Sequence, residues 1–337
     1  MKKKSNYKFN IFLLVLISFI VIYFSLKDNF DAAINYLLKS NLLWIMVAII
    51  FVLLNIFFQS LSQYRFLKEV KKDYKFTSCM KLMVIAMFFN AITPFSSGGQ
   101  PFEMYLLKKE DIKVTDSANA LLQNFITYQF SLILIGTIAI VCNKFFNIIP
   151  NNLLLKKVVI LGYIINVCVM GIIIVLSRGK KLNTKIFSKL FNFIFKFKFI
   201  KNREEKKEKA LKTLDDFYNS TAIMKNNFKN TVLSITFNFL SLLCLYLVPY
   251  FVFLALRSSN VINVLESIIL SAYTFLIGNF VPIPGGTGGL EYGYMDFFGL
   301  YAKGGLLSSS MLLWRLLTYY LGMIIGGITL MTYRKKE

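Results

Sequence analysis

Apolar residues in this chain come in unbroken runs, not in the 3.6- or 2-residue alternation of an element half exposed to water. Phe9–Leu26 and Leu42–Ser62 each have the length of about 18 residues or more that crosses ~30 Å of hydrocarbon. Comparable runs cover Ser117–Cys142, Leu153–Ser177, Thr231–Leu256 and Gly305–Thr332, which brings the predicted spans to six. A bend is expected at Pro249, inside the fifth of them. Two further apolar stretches, Phe76–Thr93 and Val261–Val281, end in breaks: Pro94-Phe-Ser-Ser-Gly98-Gly99-Gln-Pro101 and Pro282-Ile-Pro284-Gly285-Gly286-Thr-Gly288-Gly289. The pattern predicts an all-α polytopic membrane protein.

Charge decides what the two broken stretches do. Cytoplasmic loops of membrane proteins carry excess Lys and Arg. The segment 178–230 holds fifteen basic residues against five acids, a net +10, and belongs inside. Counting Phe76–Thr93 as a full span would put it outside. If that stretch dips in, turns at the Gly98–Gly99 break and returns to Lys108-Lys109, every loop obeys the rule. Val261–Val281 then dips from the opposite face. The expected architecture is six spans plus two re-entrant broken-helix hairpins in one integral membrane domain, 1–337, with both termini cytoplasmic. Lys2–Lys4 at one end and Arg334-Lys335-Lys336 at the other fit a multi-pass protein of the cell membrane. The first apolar run is long for a signal peptide and lacks a small-x-small cleavage site, so it reads as a retained span.

The formal charge of +22 raises nucleic acid as a partner. Placement of the basic residues between apolar runs argues against it. No histidine is present, which removes His-based acid–base chemistry and His metal sites. The four cysteines, Cys79, Cys142, Cys168 and Cys244, form no C-x-x-C pair and read as small hydrophobes. No catalytic residue, metal site or cofactor is expected.

The two breaks resemble each other. Pro94 and Pro282 stand nine residues before an acid, Glu103 and Glu291, and Gly98 and Gly286 stand five before it. Paired interruptions entering from opposite faces point to an inverted repeat with a site near the midplane. A charge at a helix centre costs at least ~2.5–3.5 kcal/mol and marks a pathway or a pair. Glu103, Glu291 and Arg315 are the main candidates; Lys81, Glu266 and Asp296 follow. Arg315 can grip a lipid phosphate through its guanidinium or form an internal ion pair with Glu291 or Glu103. Backbone N–H groups at Gly285, Gly286, Gly288 and Gly289 can form an anion nest, or the glycines simply let the chain turn. The same choice holds for Gly98 and Gly99. Polar residues within the spans, Asn124 and Asn238 among them, read as helix–helix hydrogen bonds. Gly322-x-x-x-Gly326 is a packing motif that admits a homo-oligomer. The Lys/Phe alternation of Lys180–Lys201 suits a segment lying on anionic lipid.

The blocks Thr93-Pro-Phe-Ser-Ser-Gly-Gly-Gln-Pro-Phe-Glu103 and Val281-Pro-Ile-Pro-Gly-Gly-Thr-Gly-Gly-Leu-Glu291, with Arg315 after them, resemble the flippase-like transmembrane domain of the lysylphosphatidylglycerol synthase/flippase family. The likeness covers nearly the whole chain. It implies movement of aminoacylated phospholipid, such as lysyl-phosphatidylglycerol, between leaflets, which masks anionic surface and confers resistance to cationic antimicrobial peptides. On this reading lipid contacts are expected at Pro94, Gly98, Gly99, Glu103, Pro282, Pro284, Gly285, Gly286, Gly288, Gly289, Glu291 and Arg315. Full-length members add a soluble aminoacyl-transferase domain that uses aminoacyl-tRNA. Here the sequence runs five residues past its last predicted span, and a stand-alone flippase-like domain is expected. Phosphatidylglycerol lysyltransferase activity, alone or with a separate synthase partner, is the alternative; a non-transporting scaffold is a third.

Overall fold

A computed structural model describes residues 30–93, 98–149, 153–179, 227–258, 260–278 and 288–333, with 212, 215, 216 and 218 besides. The predicted span Phe9–Leu26 and most of the basic segment 178–230 lie outside them. The described residues form an all-α polytopic membrane fold. Five helices are long and apolar enough to cross a bilayer: Leu42–Val70, Val114–Phe146, Leu154–Val175, Phe228–Ala255 and Gly304–Thr332. They match five of the six expected spans. In chain order the helices are α1 (Phe30–Leu38), α2 (Leu42–Val70), α3 (Phe76–Ile92), α4 (Gly99–Lys109), α5 (Val114–Phe146), α6 (Leu153–Arg178), α7 (Phe228–Ala255), α8 (Val264–Gly278), α9 (Gly289–Phe298), α10 (Gly304–Arg315) and α11 (Leu321–Thr332). A π-helical segment, Leu316–Tyr320, joins the last two into one span.

The backbone of the bundle is the antiparallel pair α2 and α7. Asn41 N–H donates to Ala255 O at 2.7 Å. Further along, Asn55 Nδ2 donates to Ser241 O at 2.9 Å and Oγ at 2.7 Å. Ser62 and Ser234 then exchange hydroxyl-to-carbonyl bonds at 3.2 and 3.3 Å. Small serines let two helices approach closely, and side-chain hydrogen bonds hold them in a medium that offers no competing water.

Pro249 lies inside α7 and cannot donate to the helix ladder. The helix is repaired from a neighbour. Ser267 Oγ on α8 accepts from Tyr250 N–H at 3.1 Å and donates to Tyr246 O at 2.8 Å, and Ser271 Oγ reaches the same carbonyl at 3.1 Å. A backbone group freed in hydrocarbon must be satisfied this way.

Both short apolar helices fold back as hairpins. In α3–α4, Phe89 stacks on Phe102 with ring centroids 3.6 Å apart. The entry and exit of this hairpin meet, because Lys71 Nζ donates to Glu110 O at 2.9 Å. Tyr333, just past α11, also reaches Glu110 Oε1, at 2.5 Å. Asn230 at the start of α7 bonds Glu69 at the end of α2. These contacts gather Lys71, Lys72, Lys75, Lys108 and Lys109 on one face, the basic face. In α8–α9, Tyr273 packs on Phe297, and Tyr301 OH donates to Ile148 O at 2.7 Å, beside the end of α5. That hairpin therefore opens on the other face, with Asn41 and Ala255. The two re-entrant segments enter from opposite sides, as charge placement predicts.

Two measurements check this arrangement. Cysteines introduced at Lys108 and Lys212 are expected to react with an impermeant thiol reagent from one side of the membrane, and one at Lys303 from the other. Ser267→Ala is expected to lower stability by about 1–3 kcal/mol, the cost of a buried unsatisfied backbone group; a silent variant would show that the Pro249 break is relieved by other means.

Candidate functional site

The second hairpin ends at an ion pair. Gly288 caps α9 with φ 90°, a left-handed conformation that a side chain resists. Its N–H donates to Glu291 Oε2 at 2.7 Å, so the carboxylate caps the helix it belongs to. The other oxygen, Oε1, accepts from Arg315 Nε at 2.6 Å. Both side chains are buried, Glu291 at 7% and Arg315 at 5% exposure. Glu291 thus joins α9 to the long span at about its middle: Arg315 lies eleven residues, ~16 Å, beyond Gly304.

Arg315 is held on its other sides by aromatic faces. Its guanidinium carbon lies 4.8 Å from the Tyr319 ring centroid and 5.4 Å from that of Trp314. Such contacts are favourable when both partners are dry. Trp314 stacks on Tyr294 at 4.7 Å, and Tyr294 on Phe298 at 4.1 Å, which anchors the arginine's backbone to α9. The π-helical segment begins at the next residue, with Leu321 N–H donating to Leu316 O. Such bulges recur where a helix carries function.

The first hairpin reaches the same region from the other face. Tyr319 OH donates to Ala91 O at 3.1 Å, at the tip of α3. Lower down, α3 packs directly against α11: a Cβ on Gly326 would lie 2.4 Å from Val84 O. The Gly322/Gly326 motif is therefore used inside the chain. At the tip, Gly98 N–H donates to Thr93 Oγ1 and Gly99 N–H to Asn90 Oδ1, each at 2.8 Å. These two amides close the turn on protein acceptors. Glu103 does not join Arg315. It is 4% exposed and accepts from Gln63 Nε2 at 2.8 Å.

With this geometry in view, the comparisons with known proteins are decisive for the family. The profile of the lysylphosphatidylglycerol synthase TM region matches residues 11–326. The chain belongs to this family. It is similar to an uncharacterized protein of Mycoplasma genitalium, 23% identical over 352 residues, covering 96% of this chain and 87% of the relative. It is also similar to a UPF0104 membrane protein of Methanocaldococcus jannaschii, 25% identical over 334 residues, covering 96% and 95%.

The fold thus joins Gly288, Glu291 and Arg315 in one cluster, while on the first hairpin Gly98 and Gly99 bond Thr93 and Asn90 and Glu103 bonds Gln63. Gly289 is the first residue of α9. Pro94, Pro282, Pro284, Gly285 and Gly286 lie outside the described residues. The matched sequence offsets do not become matched helix positions. Glu291 stands three residues past its cap, Gly288, and Glu103 five past Gly98. Of the lesser candidates, Lys81 is exposed, and Glu266 exchanges capping bonds with Asn263 at 2.7 and 2.9 Å. Asp296 lines a cavity of about 530 Å³ with Lys303.

Sequence reasoning missed Tyr319 and Gln63. A tyrosine in an aromatic-rich run carries no signal of its own, and Gln63 sits at the edge of a span, where polar residues are ordinary. Breaking a buried ion pair by removing one partner costs about 3–5 kcal/mol. Glu291→Gln is therefore expected to lower thermal stability sharply, and Arg315→Gln added to it to recover part of the loss. Additive losses in the double variant would show that the two side chains are energetically independent.

Proposed function

We propose that the chain is a flippase-like protein that binds phospholipid, including aminoacylated forms such as lysyl-phosphatidylglycerol, and moves it between leaflets of the cell membrane. Its basic face is the cytoplasmic one, with both termini there, and residues 1–337 act as one domain. The observation that carries this reading is the Arg315–Glu291 pair, buried mid-span where two hairpins of opposite entry meet. Paired broken helices around a midplane site are the architecture of secondary transporters. Family membership supports a lipid substrate.

The lipid phosphate competes with Glu291 for the guanidinium. Arginine matches phosphate with parallel N–H donors, a geometry that a lysine ammonium lacks. When phosphate takes Arg315, Glu291 loses its partner and the cap on Gly288 N–H is loosened, so the tip of the second hairpin is freed as the headgroup arrives. Gly288 and Gly289 open the start of α9, whose backbone donors favour an anion. Pro282, Pro284, Gly285 and Gly286 are assigned to the same lipid-binding set from their place in the sequence block that ends at Glu291. The first hairpin, with Pro94, Gly98, Gly99 and Glu103, forms the opposed wall.

A leaflet assay of fluorescent or aminoacylated phosphatidylglycerol in proteoliposomes tests this. Arg315→Ala is expected to slow translocation at least about tenfold, the equivalent of ~1.4 kcal/mol. Arg315→Lys, which keeps the charge, is expected to fold normally and still be slow. Wild-type rates in a well-folded Arg315→Lys protein would exclude bidentate phosphate binding, and unchanged flipping in Arg315→Ala would remove the residue from the mechanism.

A further inference from the structure

Glu103 differs from Glu291 in one respect: among the described residues, no lysine or arginine pairs with it. It lies six residues, ~9 Å, inside the exit of α4 at Lys109. The buried apolar cluster built on α2, α3, α4 and α5 takes Leu106 and Leu107 from the same helix as Glu103, with Ala120 and Leu121 from α5. An isolated carboxylate in such surroundings is costly, and acids held within membrane segments without a counter-charge typically belong to proton pathways.

The side chains bonded to it form a line of amides and a hydroxyl. From α2, Gln63 donates Nε2 to Glu103 Oε1. Gln63 Oε1 accepts from Asn124 Nδ2 of α5 at 3.4 Å. Asn124 Oδ1 accepts in turn from Ser62 Oγ at 2.7 Å, and Ser62 Oγ from Asn238 Nδ2 of α7 at 2.8 Å. Every donor in this line points toward Glu103. This line of partners holds a single carboxylate, Glu103, where a calcium ion takes six or more oxygens. No group of three acids or cysteines stands near enough together to hold a metal among the described residues. A proton needs only one carboxyl oxygen.

The remaining titratable and charged groups lie toward the basic face. Cys79 of α3 and Tyr74 before it are buried in the same cluster as Leu106 and Leu107, and Cys79 Sγ donates to Ser60 O at 3.4 Å. At the mouth stand Glu110 and Tyr333, bonded to each other, and Lys71, whose ammonium is on Glu110 O. Lys108 and Lys109 end α4, and Asp116 begins α5. These groups sit at the ends of α2, α4 and α11, and Lys109 is six residues, ~9 Å, along α4 from Glu103.

We propose that Glu103 is a proton-binding site of the first hairpin, exchanging its proton with water on the basic face and so tying the seating of α3–α4 against α2 to the proton concentration there. The neutral carboxyl sits in the apolar cluster with Gln63 as its partner. Loss of the proton to water leaves a carboxylate that must be hydrated, and the hairpin loosens from α2 to admit that water. This assignment is independent of which lipid is carried.

The full-length protein in liposomes without added substrate provides the test. In infrared difference spectra between about pH 5 and 9, wild type is expected to lose the carbonyl stretch of a protonated carboxylic acid as pH rises, and Glu103→Gln to lack that signal. Amide exchange over residues 99–109, corrected for the intrinsic pH dependence, is expected to rise with pH in wild type and stay flat in Glu103→Gln. Gln63→Leu, which removes only the neighbour, is expected to move the midpoint of the infrared titration, and it serves if Glu103→Gln does not fold. A carboxyl signal that does not titrate in this range, or one that persists unchanged in Glu103→Gln, would overturn the proposal. Because no lipid is scored, such a failure leaves the translocation reading standing, and a failed leaflet assay leaves the proton site standing.

Discussion

A backbone N–H or a charged side chain that leaves its helix partners inside hydrocarbon finds no water to replace them. Each such group costs several kcal/mol until the protein supplies a partner. This constraint shapes the irregular features among the described residues. Gly288 N–H is met by Glu291, and Glu291 by Arg315. Gly98 and Gly99 are met by Thr93 and Asn90. The carbonyl and amide disturbed by Pro249 are met by Ser267. The groups that flank the breaks are tolerated because neighbouring side chains supply their acceptors and donors.

From that constraint follows a division of labour between the two hairpins. The second is locked electrostatically, by a salt bridge and a cap that share one carboxylate. The first is locked by short-range hydrogen bonds and ring stacking, and its own carboxylate is left to an amide network. The long span α10–α11 touches both: Arg315 takes the second hairpin, and Tyr319 the tip of the first. Arg315 stands just before the π-helical segment and Tyr319 within it, where one extra residue per turn breaks the register of the helix. A change of register there would move the two contacts relative to each other.

Much of this architecture is written in the order of apolar runs and basic loops. The net +10 of 178–230 fixes the folding back of Phe76–Leu107, because a full span there would put that charge on the wrong face. The pairing of Arg315 with Glu291 was one of two partners the sequence allowed, and only packing could choose between them. Glu103 goes elsewhere because its position five residues past the cap points it at α2, whereas Glu291, three past, reaches its own N-cap. Tyr319 was illegible: phenol and phenyl rings look alike in a run of Leu, Thr and Tyr until a carbonyl from another segment arrives. The serine seam between α2 and α7 was hidden for a related reason, since isolated serines in apolar runs have no period that names their partner.

The central claim is that the tip of a segment entering from the basic face meets the last span at mid-bilayer. Cross-linking tests it most directly. In a protein stripped of its four native cysteines, Ala91→Cys and Tyr319→Cys are joined, in intact membranes, by a short bifunctional thiol reagent that partitions into the bilayer. The account predicts efficient intramolecular bridging of this pair, with neither cysteine reached by an impermeant reagent from outside. Failure to bridge, with Ala91→Cys labelled from the face opposite Lys108, would mean that α3 crosses completely and that the two hairpins do not meet.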